Sequence, residues 1–260
     1  MRCLSRFFKR RIAPPVPAEL WEKVEAPLAP LLAHLNAEER VALRALALGF
    51  LARKQVCGAA GLEITDEIRL TIALQAGLPI LKLDLSAYDG WVEIIVYPGD
   101  FVIPRRQVSE DGVLHEYDEI ALGEAWKSDP VVLSWFNGAA DYLGAKVVIH
   151  EFAHKLDMNN GDADGLPPLH AGMSAKDWER AFSLAYSNFC RRVDAGENLP
   201  IDPYAAEHPA EFFAVLSEVF FASPATLEKL YPAVYRQLAL FYRQDPLATQ
   251  PARADNPFRF

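Results

Sequence analysis

Cysteine is scarce in this sequence: the 260 residues contain three, Cys3, Cys57 and Cys190. They lie far apart, so the chain has neither a CxxC pair of zinc ligands nor the dense cysteine framework of small secreted proteins. This cysteine usage is typical of the reducing cytosol, and we therefore predict a cytoplasmic location.

The sequence also lacks a long apolar run and an excess of basic charge. Its longest apolar candidate, residues 46–52, is broken by Gly49 and falls far short of the roughly 20 residues that cross a bilayer. We expect no transmembrane segment. With 26 Lys and Arg residues against 35 Asp and Glu residues, the formal net charge is -9. That charge opposes attraction to phosphate backbones, so we expect no direct binding to nucleic acid.

The chain does contain enough apolar material for one core, because 51% of its residues are hydrophobic and its length fits one domain. We predict a basic, proline-rich leader at residues 1–17, a domain at residues 18–245 and an irregular tail at residues 246–260. The leader is followed by neither the apolar region nor the cleavage site of a secretory signal.

Helical and strand patterns occur in blocks. Asn36 with Glu39 has the spacing of a capping box and predicts a helix to about residue 55, and Thr65 predicts the start of another helix that ends near residue 76. Further helices are predicted at residues 139–158, 174–194, 209–222 and 224–243.

Between these helical blocks the sequence predicts a small sheet. Short β-branched and aromatic stretches indicate strands at residues 91–97, 101–104, 115–121 and 131–135. A turn at residues 98–100 is expected to join the first two strands as a hairpin. The resulting class is α+β, a mostly helical single domain with a small mixed sheet.

Residues 146–161, KVVIHEFAHKLDMNNG, concentrate the chemistry. His150, Glu151 and His154 form an HExxH motif on a predicted helix, where a spacing of four places both imidazoles on one face. Imidazole nitrogen is a good zinc ligand, and a glutamate directly after the first ligand is placed to act as the general base. Chance would produce roughly 0.01 such motifs in a chain of this composition. We predict one zinc ion per chain, bound by the two histidines.

The spacing leaves the third zinc ligand open. Asn160 occupies the position at which a three-histidine site would have its third histidine, which excludes that kind of site. The carboxylate candidates are Glu179, Glu207, Glu211 and Glu218, and the less favoured imidazoles are His170 and His208. Glu211 falls in the first turn of an apolar helix, where it either binds the metal or complements the helix dipole. Glu218 competes with it one heptad later.

Two more side chains are candidates for roles beside the motif. Asp157 is placed either to accept a hydrogen bond outside the metal ligands or to be solvated at its helix end. Tyr204, seven residues before Glu211, either donates to the oxyanion of a tetrahedral intermediate or is an ordinary loop aromatic. The strand at residues 131–135 is the candidate for pairing with an extended substrate.

The sequence resembles the Mlc titration factor A family of bacterial zinc peptidases over about residues 18–245. The similar segments are HEFAHKLDM, HPAEFFAVLSEVFF, GLEITDEIRLTIALQAGLPIL and VVLSW. The resemblance implies a gluzincin-like fold similar to the anthrax lethal factor protease domain, with Glu211 as the third zinc ligand and Tyr204 as a catalytic tyrosine. It also implies aminopeptidase-like cleavage of peptides and binding to Mlc, a repressor of glucose-phosphotransferase genes.

Two other functions stay open on the sequence. One is a repressor-titrating binding protein whose zinc is structural, and the other is a metal hydrolase of a non-peptide amide. An intact HExxH motif favours hydrolysis over a structural zinc, because a structural site has no use for a base beside an open coordination position.

Overall fold

The computed structural model describes residues 16–99, 101–108, 114–121, 123–125, 130–135 and 142–248. Most of the expected leader and tail, residues 1–15 and 249–260, lies outside the described residues, so the domain limits stay a prediction. Within the described ranges, no helix combines the length and the apolar character needed to cross a membrane.

Helices form most of the described chain. They are α1 (Ala18–Glu25), α2 (Ala29–Leu32), α3 (Ala37–Arg53), α4 (Asp66–Gly77), α5 (Tyr142–Asp157), α6 (Ala175–Asp194), α7 (Pro209–Ala222), α8 (Pro224–Leu230) and α9 (Pro232–Tyr242). Short 3-10 turns lie at Leu85–Tyr88, Met158–Asn160 and Pro203–Ala206.

The starts of the helices follow the local capping signals. Asn36 accepts a hydrogen bond from the Glu39 N–H at 2.9 Å, and the Glu39 carboxylate accepts one from the Asn36 N–H at 3.1 Å, so the predicted capping box is confirmed. Thr65 caps α4 in the predicted way. The prediction of a single helix at residues 224–243 is wrong. Pro232 has no N–H to continue the hydrogen bonding of α8 and instead begins α9.

Six strands are described: β1 (Gln55–Gly58), β2 (Glu93–Tyr97), β3 (Phe101–Val108), β4 (Leu114–Ala121), β5 (Gly123–Ala125) and β6 (Val131–Ser134). One mixed sheet has the order β1-β2-β6-β5, in which the first three strands are parallel and β5 is antiparallel to β6. Strands β3 and β4 pair with each other in an antiparallel ribbon. The α+β class with a small mixed sheet is therefore confirmed.

The pairing of the strands corrects two predictions. The hairpin expected from residues 91–104 does not form, because both edges of β2 are occupied by β1 and β6 while β3 pairs with β4. Strand β1 was not predicted: α3 ends at Arg53, close to the predicted end near residue 55, and Lys54 turns to an extended conformation with φ -111 and ψ 148. Strand β6 has β2 on one side and β5 on the other, so it has no edge left for a substrate.

One hydrophobic core joins the helices to the sheet and holds α5 in its centre. Phe152 of α5 is fully buried, and its ring centroid lies 5.1 Å from that of Tyr88, 5.6 Å from Phe50 and 5.7 Å from Trp91. Close aromatic packing of this kind stabilises the position of a helix strongly. Helix α5 also contacts α7 and β5, and both carry residues that meet its HExxH side chains.

Candidate metal centre

The three HExxH side chains are buried on α5. His150, Glu151 and His154 are 9%, 4% and 7% exposed. Polar and charged groups at this depth cost free energy unless each is bound to a partner. The predicted helix is present. Because these groups are buried on it, other elements must supply partners for them.

The ligand atoms of three residues converge on one point. Glu211 Oε2 lies 3.0 Å from His150 Nε2 and 3.3 Å from His154 Nε2, and the two Nε2 atoms are 3.1 Å apart. Four ligands placed tetrahedrally at about 2.0–2.1 Å from zinc would be roughly 3.3 Å from each other. This group of His150, His154 and Glu211 can therefore hold one metal ion.

Helix α7 brings Glu211 to that point through a well-defined start. His208 caps the helix, since its Nδ1 accepts a hydrogen bond from the Ala210 N–H at 3.2 Å, and Pro209 occupies the first turn. Glu211 follows in the same turn, where the helix dipole favours a carboxylate. The sequence allows either metal binding or dipole compensation for Glu211, and this position is compatible with both.

Glu218 lies behind the ligand group, two turns further along α7. Its Oε1 is 2.7 Å from His150 Nδ1, the ring nitrogen that faces away from Glu211. A carboxylate can only accept, so the Nδ1–H donates to it, and loss of the Nε2 proton would leave the lone pair of Nε2 directed toward the other two ligand atoms. Sequence reasoning weighed Glu218 only as a ligand and missed this contact. The seven-residue spacing from Glu211, which places both carboxylates on one face of α7, is the signal that could have revealed it.

The other candidates for a third ligand lie elsewhere. Glu179 and Glu207 are exposed. His170 contacts the Phe241 carbonyl oxygen through Nε2 at 2.7 Å, and His208 serves as the cap of α7. None of these four belongs to the group that can hold a metal among the described residues.

Electrostatic interactions within the group are strong. Burial acts to lower the pKa of His150, but hydrogen bonds to Glu211 and Glu218 outweigh it and raise this pKa well above its usual value. Burial acts to raise the pKa of Glu211, but the two imidazoles lower it instead. The carboxylates thus stabilise positive charge at this point, and a metal cation bound there would compete with the proton on His150.

Asp157 ends α5 as a buried loop anchor. It is 0% exposed, which rules out the alternative of a solvated helix end. Its Oδ2 accepts a hydrogen bond from the Gly165 N–H at 2.8 Å. Gly165 needs to be glycine, because its φ is +83° and an added Cβ would lie 2.6 Å from the Pro209 carbonyl oxygen at the start of α7. Asp157 therefore holds the loop after α5 against α7.

Tyr204 lies next to His150 of the group. It belongs to the 3-10 turn Pro203–Ala206, which Asp202 caps by accepting a hydrogen bond from the Tyr204 N–H at 3.0 Å. The Tyr204 ring centroid is 6.2 Å from that of His150, and the residue is 44% exposed. The phenol is thus beside the ligand group and accessible from solvent.

An α+β fold in which an HExxH helix supplies two histidines and a second helix supplies a glutamate to one group is typical of metallopeptidases. Comparison with known proteins agrees: the family model of the glucose-regulated metallo-peptidase M90 matches residues 5–243. Mlc titration factor A of Yersinia pestis (strain Pestoides F) is 38% identical over 237 residues, which cover 88% of this chain and 87% of the relative. The same values hold for Mlc titration factor A of Yersinia pseudotuberculosis serotype O:1b (strain IP 31758). The chain belongs to the glucose-regulated metallo-peptidase M90 family, and the resemblance inferred from the sequence is confirmed.

Proposed function

We propose that this protein is a zinc-dependent peptidase with one zinc ion bound by His150, His154 and Glu211. The observation that carries the proposal is the convergence of these three ligand atoms within 3.0–3.3 Å beside the buried Glu151. Two imidazoles and one carboxylate are a ligand set of catalytic zinc sites, which keep a fourth position open.

Each residue of the site has a distinct task in this proposal. Bound zinc would polarise the scissile carbonyl group and lower the pKa of a water molecule. Glu151 accepts a proton from the attacking water and later delivers it to the leaving amine. Tyr204 donates a hydrogen bond to the carbonyl oxygen as negative charge develops on it. Glu218 keeps the His150 ring in the orientation that directs Nε2 to the metal.

An extended substrate would pair with β5. Within the described residues β5 has one partner, β6, so it is an edge strand of the mixed sheet, and it lies against α5. A peptide added to this edge would run past Glu151. This proposal replaces β6, whose two edges are occupied.

The finer aspects of the function rest on the family. We propose aminopeptidase-like cleavage of short peptides in the cytoplasm, by a catalytic domain at residues 18–245. The name of the relatives, Mlc titration factor A, supports a second role in binding the Mlc repressor. The negative net charge suits a protein partner better than a nucleic acid.

The test of hydrolysis compares the zinc-loaded wild type with Glu151→Gln on a panel of amino acid p-nitroanilides and short peptides. Loss of a general base should lower kcat by about 10²–10⁴-fold, while zinc content stays the same because Glu151 is not a ligand. Glu179→Gln, at an exposed position of α6, is the matched control and should match the wild type. Full activity in Glu151→Gln, or in chelator-treated wild type, would contradict the proposal.

The alternative, a repressor-titrating protein with a structural zinc, is supported by the name of the relatives. Purified Mlc retained by Glu151→Gln as well as by the wild type would show that binding does not depend on hydrolysis. Retention of Mlc by a wild type that cleaves no peptide would favour the alternative alone.

A further inference from the structure

The edge strand β5 passes directly against the side chain of Glu151, and Gly123 is the residue at the contact. A Cβ added to Gly123 would lie 2.3 Å from Glu151 Oε1 and 2.7 Å from both its Cδ and Cγ. Unbonded heavy atoms do not approach so closely in a packed interior. A side chain at position 123 and the present position of Glu151 are therefore incompatible.

Backbone conformation does not explain why this residue is glycine. Gly123 is not among the glycines with positive φ, and it pairs with Leu133 in the regular antiparallel register of β5 and β6. Alanine could adopt the same backbone conformation. The three nearest neighbours of the added Cβ all belong to the Glu151 side chain.

The buried Glu151 carboxylate has little space to shift while it stays beside His150 and His154. The residue is 4% exposed on the buried helix α5. Its neighbours in sequence are Phe152, packed in the aromatic core, and His150, held by Glu211 and Glu218. An added methyl group would therefore move the Glu151 carboxylate and leave the three ligand residues in position.

We propose that Gly123 is a positioning residue for Glu151: the absence of a side chain on the edge strand keeps the carboxylate beside the metal ligands. The inference rests on the proposed role of Glu151 as the general base. Because β5 is also the edge proposed to receive the substrate, the same glycine brings the substrate backbone and the base together.

The experiment compares zinc-loaded Gly123→Ala with the wild type in peptide hydrolysis. A carboxylate moved by about 1 Å should lower kcat at least about tenfold, with KM and zinc affinity each within about twofold of the wild type. Gly161→Ala is the matched control, because no atom lies within 4 Å of its added Cβ and its φ of 168° is extended backbone. Unchanged kcat in Gly123→Ala would overturn the proposal.

A second comparison separates displacement of Glu151 from a general disturbance. Aspartate is one methylene shorter, so Glu151→Asp makes space for the added methyl group. Gly123→Ala should then cost less than about twofold in kcat when introduced into Glu151→Asp. An equal loss in both backgrounds would show that the methyl group acts elsewhere and would overturn the proposal.

Measurements without hydrolysis distinguish this inference from the proposed function. An inactive zinc-loaded wild type would refute the peptidase proposal alone. The positioning role of Gly123 would then be tested by crystal structures of the wild type and Gly123→Ala, and the variant should show a displaced Glu151 carboxylate. An unmoved carboxylate would refute the inference. If Gly123→Ala lowers Tm or fails to fold, Gly123→Ala/Glu151→Ala should recover Tm, since it removes the three atoms nearest to the added Cβ. Absence of recovery would also refute it.

Discussion

The contact between Glu218 and His150 predicts how tightly the protein binds zinc. Glu218→Ala removes the carboxylate that lies 2.7 Å from His150 Nδ1, while every ligand of the proposed site stays in place. Both side chains are largely shielded from water, at 13% and 11% exposed, so solvent does not replace the lost partner easily. The His150 ring would then be free to rotate or to place its proton on the wrong nitrogen.

The size of the effect follows from the kind of bond. A hydrogen bond to a charged group contributes about 1.5–3 kcal/mol, and each 1.4 kcal/mol is about tenfold in a dissociation constant. The zinc Kd of Glu218→Ala should therefore rise about 10- to 100-fold, the range found when partners of metal ligands are removed. Glu218→Gln should lose less, because its amide oxygen still accepts a hydrogen bond. Glu211→Ala should lose more than either, because it removes a proposed direct ligand.

The assay is competition between the metal-free proteins and a chromophoric zinc chelator at one pH. Glu179→Ala removes an exposed carboxylate from α6 and serves as the control with wild-type affinity. Wild-type zinc affinity in Glu218→Ala would refute the reasoning. Greater loss in Glu218→Ala than in Glu211→Ala would exchange the roles of the two glutamates.

Two further predictions concern the stability of the metal-free protein. Burial raises the pKa of Asp157 from 3.8 to about 6, so the folded state binds this proton more tightly and wild-type stability should fall as pH rises from about 4 to about 6. In urea unfolding, the stability of Asp157→Asn relative to the wild type should therefore increase by about 3 kcal/mol between pH 4 and pH 7. A difference that stays constant with pH would contradict this pKa. Phe152→Ala should lower the free energy of unfolding by about 3–5 kcal/mol, because the Phe152 ring is fully buried against three aromatic rings. The control Leu184→Ala, at a position 68% exposed on α6, should change this free energy by less than about 0.5 kcal/mol. Equal losses in the two variants would contradict the packing argument.

Local features of the fold were predictable because the interacting residues are close in sequence. The capping box joins Asn36 to Glu39, three residues apart, and the HExxH motif joins His150 to His154, four apart. A helix alone brings such pairs together, whatever packs around it. The helix, the paired imidazoles and the adjoining glutamate could all be read from one stretch of sequence for this reason.

The pairing of the strands was less predictable. A turn sequence after β2 favoured a hairpin, but β1 and β6 occupy both edges of β2. Parallel partners such as β1 and β2 are joined by long connections that leave no local pattern in the sequence. The proposed substrate edge is β5 and not β6 for the same reason, since an edge is defined by the order of all the strands.

The amino-acid order was sufficient for the two imidazoles and their neighbouring glutamate, since one helical turn relates them. Packing of α7 against α5 decided the rest of the site: Glu211 and Glu218 share one face of α7, yet the first reaches Nε2 of His150 and the second reaches Nδ1. The arrangement of the sheet likewise decided that Gly123 faces Glu151. Contacts between residues 28 to 68 positions apart depend on how whole elements pack, and no local spacing encodes that packing.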